Sequence, residues 1–259
     1  MLLILMVFLL VSSILVLIVK RNKETFYIFG MCISLAIMLS GILLYIAKKG
    51  GISQTLQHFF FFSSEIKIKL QFFLITLDEL GFMIAIGRYL FPLFLVLFAF
   101  QYSQVIFIRM YYYRRKFILL FPLLTLILYF PGVFQYLTEL VPKIKVFIII
   151  GTYSWIIVYI ILAISLLIYE AYTIKLQFMR RQFIFIIAFV LSLTALYLIW
   201  FLQEPIQVYE FYFYEHQWTN FYMNSVLSVP AYISIMCLNV ILAIVGFASL
   251  IKYTHQLFE

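Results

Sequence analysis

Residues 146–170 read VFIIIGTYSWIIVYIILAISLLIYE, an apolar run with no charge before Glu170. A helix needs about 20 such residues to cross roughly 30 Å of hydrocarbon. Working outward, six further windows of this kind can be drawn, at about 1–19, 26–46, 81–102, 117–137, 183–202 and 231–251. Inside a bilayer every backbone N–H and C=O must be paired within the protein, which leaves only helices and closed barrels. A barrel alternates apolar and polar residues over stretches of about ten, whereas these runs are apolar all round. The expected fold is all-α: a polytopic membrane protein built as a seven-transmembrane-helix bundle, with residues 1–251 as the membrane domain and 252–259 as the start of a cytoplasmic helix.

Composition agrees with that reading. Of the 259 residues 66% are hydrophobic, 20% aromatic and only 11% charged, and the mean hydropathy is +1.13. A soluble domain carries about 25% charged residues, so a water-facing surface could not be coated here. Disorder is excluded because it requires low hydrophobicity. The two cysteines, Cys32 and Cys237, both lie inside apolar runs. They read as small apolar residues rather than a disulfide framework. The first window begins at Met1 without a basic stretch before it, so a retained helix is expected rather than a cleaved signal peptide.

The connections set the orientation. Lys20, Arg21 and Lys23 follow the first window, Arg109, Arg114, Arg115 and Lys116 the third, Lys175, Arg180 and Arg181 the fifth, and Lys252 the seventh. Eleven of the 18 basic residues thus fall on one side; Lys48, Lys49, Lys67, Lys69, Lys143 and Lys145 fall on the other, and Arg88 falls within a window. The basic-rich side is cytoplasmic by the positive-inside rule, which puts the N-terminus outside and the C-terminus inside a multi-pass bacterial plasma-membrane protein. The net charge of +8 therefore reads as topology and attraction to membrane lipids, not as a nucleic-acid site.

Two outer loops are long. The first, about 47–80, contains Phe59-Phe60-Phe61-Phe62 and then Glu65, Lys67 and Lys69. Those charges argue against an eighth span, and an interfacial segment with its phenylalanines at the acyl boundary is expected. The second, about 203–230, carries Glu204, Glu210, Glu215, His216 and Trp218 among tyrosines and phenylalanines. Aromatics of this kind belong at the headgroup level. Three carboxylates among them also suit a cationic or peptide ligand, through charge pairing and cation–π contact.

Arg88 is the sharpest single feature, in Gly87-Arg88-Tyr89-Leu90-Phe91-Pro92. A charge within a span costs several kcal/mol unless it finds a partner or water. Pro92 has no N–H, so the Arg88 carbonyl loses its helical donor. A hinge at Pro92, an acceptor without its helical partner and a guanidinium coincide. The arrangement fits an anion site or a switch; it fits equally an arginine that snorkels or pairs with Asp78, Glu79 or a loop glutamate. Pro122 and Pro131 fall in the fourth window and should bend it.

Several chemistries lack their parts. The three histidines, His58, His216 and His255, show no HExxH spacing. There is no Walker loop and no GxSxG elbow. The span interiors hold almost no carboxylates, Glu170 at the inner end of the fifth window being the one candidate, so a proton relay is not expected. No catalytic residue, metal or cofactor is expected. The last window runs on through Lys252-Tyr253-Thr254-His255-Gln256-Leu257-Phe258-Glu259 without a Pro or Gly to close it, as if the helix left the membrane for a longer partner segment.

Leu80-Gly81-Phe82, Gly87 to Pro92, and Phe100-Gln101-Tyr102-Ser103 resemble the third span of the seven-helix membrane-sensing regions that begin Gram-positive sensor histidine kinases, streptococcal ones above all. The resemblance covers the whole chain, on weakly specific motifs. It implies a homodimeric receptor of a two-component system, passing an outside signal to a cytoplasmic kinase domain and then to a response regulator. The phospho-acceptor box and the ATP lid of such kinases are not in these residues, and His255 does not sit in a phospho-acceptor box. The expected sensing residues are Arg88, Glu204, Glu210, Glu215, His216 and Trp218, with Pro92 as hinge. The rival readings are a permease subunit, which needs a polar path and an ATPase partner, and a lipid-directed enzyme.

Overall fold

The structure is a computed structural model describing residues 2–49, 60–61, 63–103, 108–141, 143–203 and 229–256. Nine helices occupy these residues, and no strand occurs among them. They are α1 (Leu2–Val19), α2 (Lys23–Lys49), α3 (Ser64–Gln71), α4 (Leu77–Tyr102), α5 (Ile108–Leu128), α6 (Pro131–Leu140), α7 (Ile144–Thr173), α8 (Gln177–Gln203) and α9 (Val229–Gln256). Five segments among the described residues are long and apolar enough to cross a membrane: Lys23–Lys48, Asp78–Tyr102, Val146–Thr173, Gln177–Phe201 and Ile233–Lys252. Leu3–Val19 and Phe117–Leu128 are shorter apolar helices. This is a helical membrane protein.

Local chemistry fixes the helix ends. Ahead of α4, the Thr76 hydroxyl accepts from the Glu79 N–H at 3.3 Å while the Glu79 carboxylate accepts from the Thr76 N–H at 2.8 Å, a capping box that pairs two orphan donors. In the tight turn between α1 and α2, the Thr25 hydroxyl donates to the Lys20 carbonyl at 2.6 Å and accepts from the Asn22 N–H at 3.2 Å.

Three expectations are corrected. The window 117–137 does not form one bent span: α5 stops at Leu128, Tyr129 and Phe130 turn, and α6 restarts at Pro131. Phe130 sits at φ −62°, ψ 133°, the extended conformation forced on a residue before proline, and Pro131 takes the first helical position, where its missing N–H costs nothing. The basic stretches expected in loops are helical: 109–116 lies within α5, and Arg180 and Arg181 open α8 after a short turn at Ile174–Leu176. Lys and Arg are good helix formers, so the apolar helices propagate through them. Finally, Phe60 and Phe61 are buried in the bundle rather than spread at its surface. Phe60 meets the Trp200 ring edge-on at 5.8 Å, an aromatic contact that outweighs interfacial exposure.

The helices close a ring. α2 packs between α1 and α4, α4 also touches α5 and α7, α7 touches α8, α8 touches α9, and α9 returns to α1. Ring contacts give the directions. Tyr102–Phe183 and Phe91–Tyr197 make α4 and α8 antiparallel. The short turn at 174–176 folds α8 back along α7, and Tyr153 meets Phe201 far from that turn. α2 and α4 cross closely on small residues: a Cβ on Gly87 would run into the Ser34 carbonyl oxygen and the Met38 nitrogen. Without a hydrophobic drive between helices in lipid, such close approach is what gains dispersion energy. α2 and α4 are the most enclosed spans, and α7 and α9 present more apolar surface outward.

Candidate functional site

The enclosed half of α4 carries the site. Arg88 is 2% exposed, and Pro92 lies one turn further along the same uninterrupted helix. The carbonyl that Pro92 deprives of its donor belongs to Arg88, and it is satisfied from another helix: the Tyr197 hydroxyl of α8 donates to it at 3.0 Å. The expectation of an acceptor left open is thereby corrected. A buried carbonyl without a donor is costly enough that a distant hydroxyl is drawn in to supply it.

Aromatic rings hold this tyrosine and the guanidinium in place. Phe91 stacks on Tyr197 with centroids 4.4 Å apart and planes 9° from parallel. Tyr197 in turn lies 5.5 Å from Phe201. The Arg88 guanidinium carbon sits 5.2 Å from the centre of the Phe201 ring, a cation–π contact that gains strength away from water. The Glu79 carboxylate, one of the acids considered as a partner for Arg88, is instead engaged by the Thr76 N–H.

The same device recurs beside it. Pro122 within α5 frees the Ile118 carbonyl, and the Tyr159 hydroxyl of α7 donates to that carbonyl at 2.9 Å. Trp155, one turn away on α7, donates its indole N–H to the Thr125 hydroxyl at 3.0 Å. Trp155 also lies 5.1 Å from Tyr159 and 6.1 Å from Tyr89. Tyr89 reaches Tyr129 at 5.3 Å. Tyr129 is 1% exposed; it sits in the α5–α6 turn, so the break in the fourth window serves to send this ring into the core. The two proline sites are thus joined through Tyr89 and Trp155 into one aromatic node spanning α4, α5, α7 and α8.

Of the residues expected to sense, the structure brings Arg88 and Pro92 into this node. Glu204, Glu210, Glu215, His216 and Trp218 lie outside the described residues; they follow directly on α8, which ends at Gln203. Tyr197, Phe201 and Tyr159 were missed by the sequence reading. A proline at position i+4 flags a carbonyl that needs a donor, but nothing local names the donor. The node holds a buried guanidinium, the planar cation that elsewhere pairs with carboxylates and phosphates. Among the described residues no group of three His, Cys, Asp or Glu could hold a metal ion.

Comparison with known proteins gives no matching family model, no matching curated protein and no matching solved structure.

Proposed function

We propose that the chain is the transmembrane sensory module of a two-component receptor, with seven membrane passes, the N-terminus outside and the C-terminus cytoplasmic. The single observation that carries this reading is the buried Arg88, whose carbonyl accepts from the Tyr197 hydroxyl and whose guanidinium lies over the Phe201 ring. A desolvated charge at a helix site that depends on a neighbour's hydroxyl is expensive to keep. It suits an element with two arrangements, of which a ligand binds one better.

A physical route leads away from that node. Phe201 stands three residues before Glu204, which opens the acidic, aromatic stretch proposed as the contact for a cationic peptide or an envelope-stress cue. Tyr197 couples α4 to α8. Further along α8, Phe189 packs on Phe247 of α9 at 4.8 Å and fills the space over Gly246. α9 then continues to Gln256, beyond its apolar stretch Ile233–Lys252. A shift of α8 at Arg88 would reach the cytoplasmic end by this path, and a homodimer with a kinase domain and response regulator would read it. The permease reading is less well served. It needs a polar path, whereas the largest fully enclosed side chains are, Arg88 apart, mostly aromatic, with smaller buried polar residues such as Ser34, Thr194 and Asn239 among them.

The test places an environment-sensitive dye on Lys252→Cys, in a chain with Cys32 and Cys237 replaced by alanine, and titrates it in nanodiscs with a cationic amphipathic peptide. A saturable dye response that disappears in Arg88→Met supports the sensory reading. No response, or the same dose dependence in Arg88→Met, removes it.

A further inference from the structure

We infer that the α7–α8 turn is a binding site for anionic phospholipid. From Ala171 to Gln203 the chain carries three basic residues, Lys175, Arg180 and Arg181, and no acidic one. All three are exposed, and among the described residues no ion pair engages them. Glu170, the nearest acid along the chain, is enclosed at 4% exposure. Arg180 is also held in place. Its guanidinium carbon lies 5.7 Å from the centre of the Tyr172 ring, in the last turn of α7. A ring contact of this kind uses a face of the guanidinium. The N–H donors lie in its plane and remain for a phosphate, whose oxygens they match in pairs.

The two helices fix the depth of these charges. The apolar stretches Val146–Thr173 and Gln177–Phe201 are each long enough to cross a membrane, and only residues 174–176 separate them. Lys175 therefore stands at the end of both, where the hydrocarbon gives way to headgroups. Tyr172, Leu176 and Phe178 flank it at 73%, 65% and 59% exposure. Aromatic and apolar side chains at that depth lie against the acyl boundary. A soluble anion would neutralise the cations and leave this fringe uncovered. A zwitterionic lipid would cover the fringe, but its own ammonium already balances its phosphate. A phospholipid of net negative charge answers both needs at once. The site rests on α7 and α8 as membrane spans, not on what the module senses.

The experiment attaches a fluorophore to Leu176→Cys in the full chain with Cys32 and Cys237 replaced by alanine. The chain is placed in phosphatidylcholine nanodiscs that contain a small fraction of brominated lipid, either phosphatidylglycerol or phosphatidylcholine. At equal mole fraction the brominated phosphatidylglycerol should quench at least twofold more. That excess should vanish in Lys175→Gln/Arg180→Gln/Arg181→Gln and persist in Lys20→Gln/Arg21→Gln, which removes charge from the α1–α2 turn instead. It should also persist when inorganic phosphate is added at millimolar concentration. Equal quenching by the two lipids overturns the site, as does an excess that survives loss of the three cations. An excess lost equally in the Lys20 and Arg21 variant shows a diffuse attraction to the whole basic side and overturns the site at this turn. An excess abolished by inorganic phosphate overturns the choice of a lipid over a soluble anion. Phe178→Cys gives the same readout where Leu176→Cys fails to fold.

Discussion

The Tyr197 hydroxyl and the Arg88 carbonyl are 109 residues apart in sequence and 3.0 Å apart in the fold. Pro92 is the reason they meet, because the N–H that would close the helical bond to Arg88 does not exist. The value of the tyrosine hydroxyl should therefore depend on the proline. Tyr197→Phe is expected to lower stability by about 1 kcal/mol, the scale of a buried hydrogen bond inside a membrane protein. In a Pro92→Ala background, position 92 regains its N–H and the same Tyr197→Phe change should cost little. Unfolding of all four chains in mixed micelles checks this; strictly additive effects would show that the hydroxyl is not serving the proline-freed carbonyl.

An equivalent pair offers a second, separate test. Tyr159 on α7 serves the carbonyl freed by Pro122 on α5. Tyr159→Phe should likewise cost about 1 kcal/mol, and Pro122→Ala should abolish that cost. Because the acceptor sits on α5 rather than α4, restoring the N–H at position 92 should leave the Tyr159→Phe cost as it was. The full grid of single and paired variants separates a repeated device from general softening of the bundle.

Glycines divide sharply by what surrounds them. A Cβ on Gly87 would strike the backbone of α2 at Ser34 and Met38, whereas one on Gly151 would meet nothing within 4 Å. Gly87→Ala should push α2 and α4 apart and destabilise by about 1–3 kcal/mol, the range for overpacked cores. Gly151→Ala lies in the interior of α7 and should gain up to about 1 kcal/mol from helix propensity. Thermal unfolding in detergent ranks the two, and equal transitions would contradict the close crossing of α2 and α4.

What the sequence could reveal follows from which interactions are local. Long apolar runs force helices in lipid, so 146–170 and 231–251 were readable as they stand. The coincidence of Arg88 with Pro92 was also readable, because a proline acts on the carbonyl four residues before it. The donor that repairs the damage was not, since Tyr197 is one of 20 tyrosines and only tertiary packing brings it near. The break at Tyr129 and Phe130 escaped because hydropathy does not fall there: both residues are aromatic, and Tyr129 is buried in the core while it turns the chain. The same blindness placed Phe60 and Phe61 at a surface. A phenylalanine run is equally apolar in lipid and in a protein core, and the Trp200 ring that decides between them lies far along the chain.

Arg88 offers a way to test the proposed sensory role apart from stability. Removing one member of a buried charged contact destabilises, by about 3–5 kcal/mol where the partner is left buried and uncompensated. Arg88→Met is therefore expected to unfold at a lower temperature, although the methionine can still lie against Phe201. Arg88→Lys keeps the charge but loses the planar face that sits over that ring, and an ammonium is harder to desolvate than a guanidinium; it too should unfold earlier than the parent chain. If Arg88 is a switch, folded Arg88→Met should be silent in the dye titration at Lys252→Cys, at temperatures below its unfolding transition. A chain that is both less stable and still responsive would assign Arg88 to holding the bundle together, and the sensory role would have to be sought in the loop that begins at Glu204.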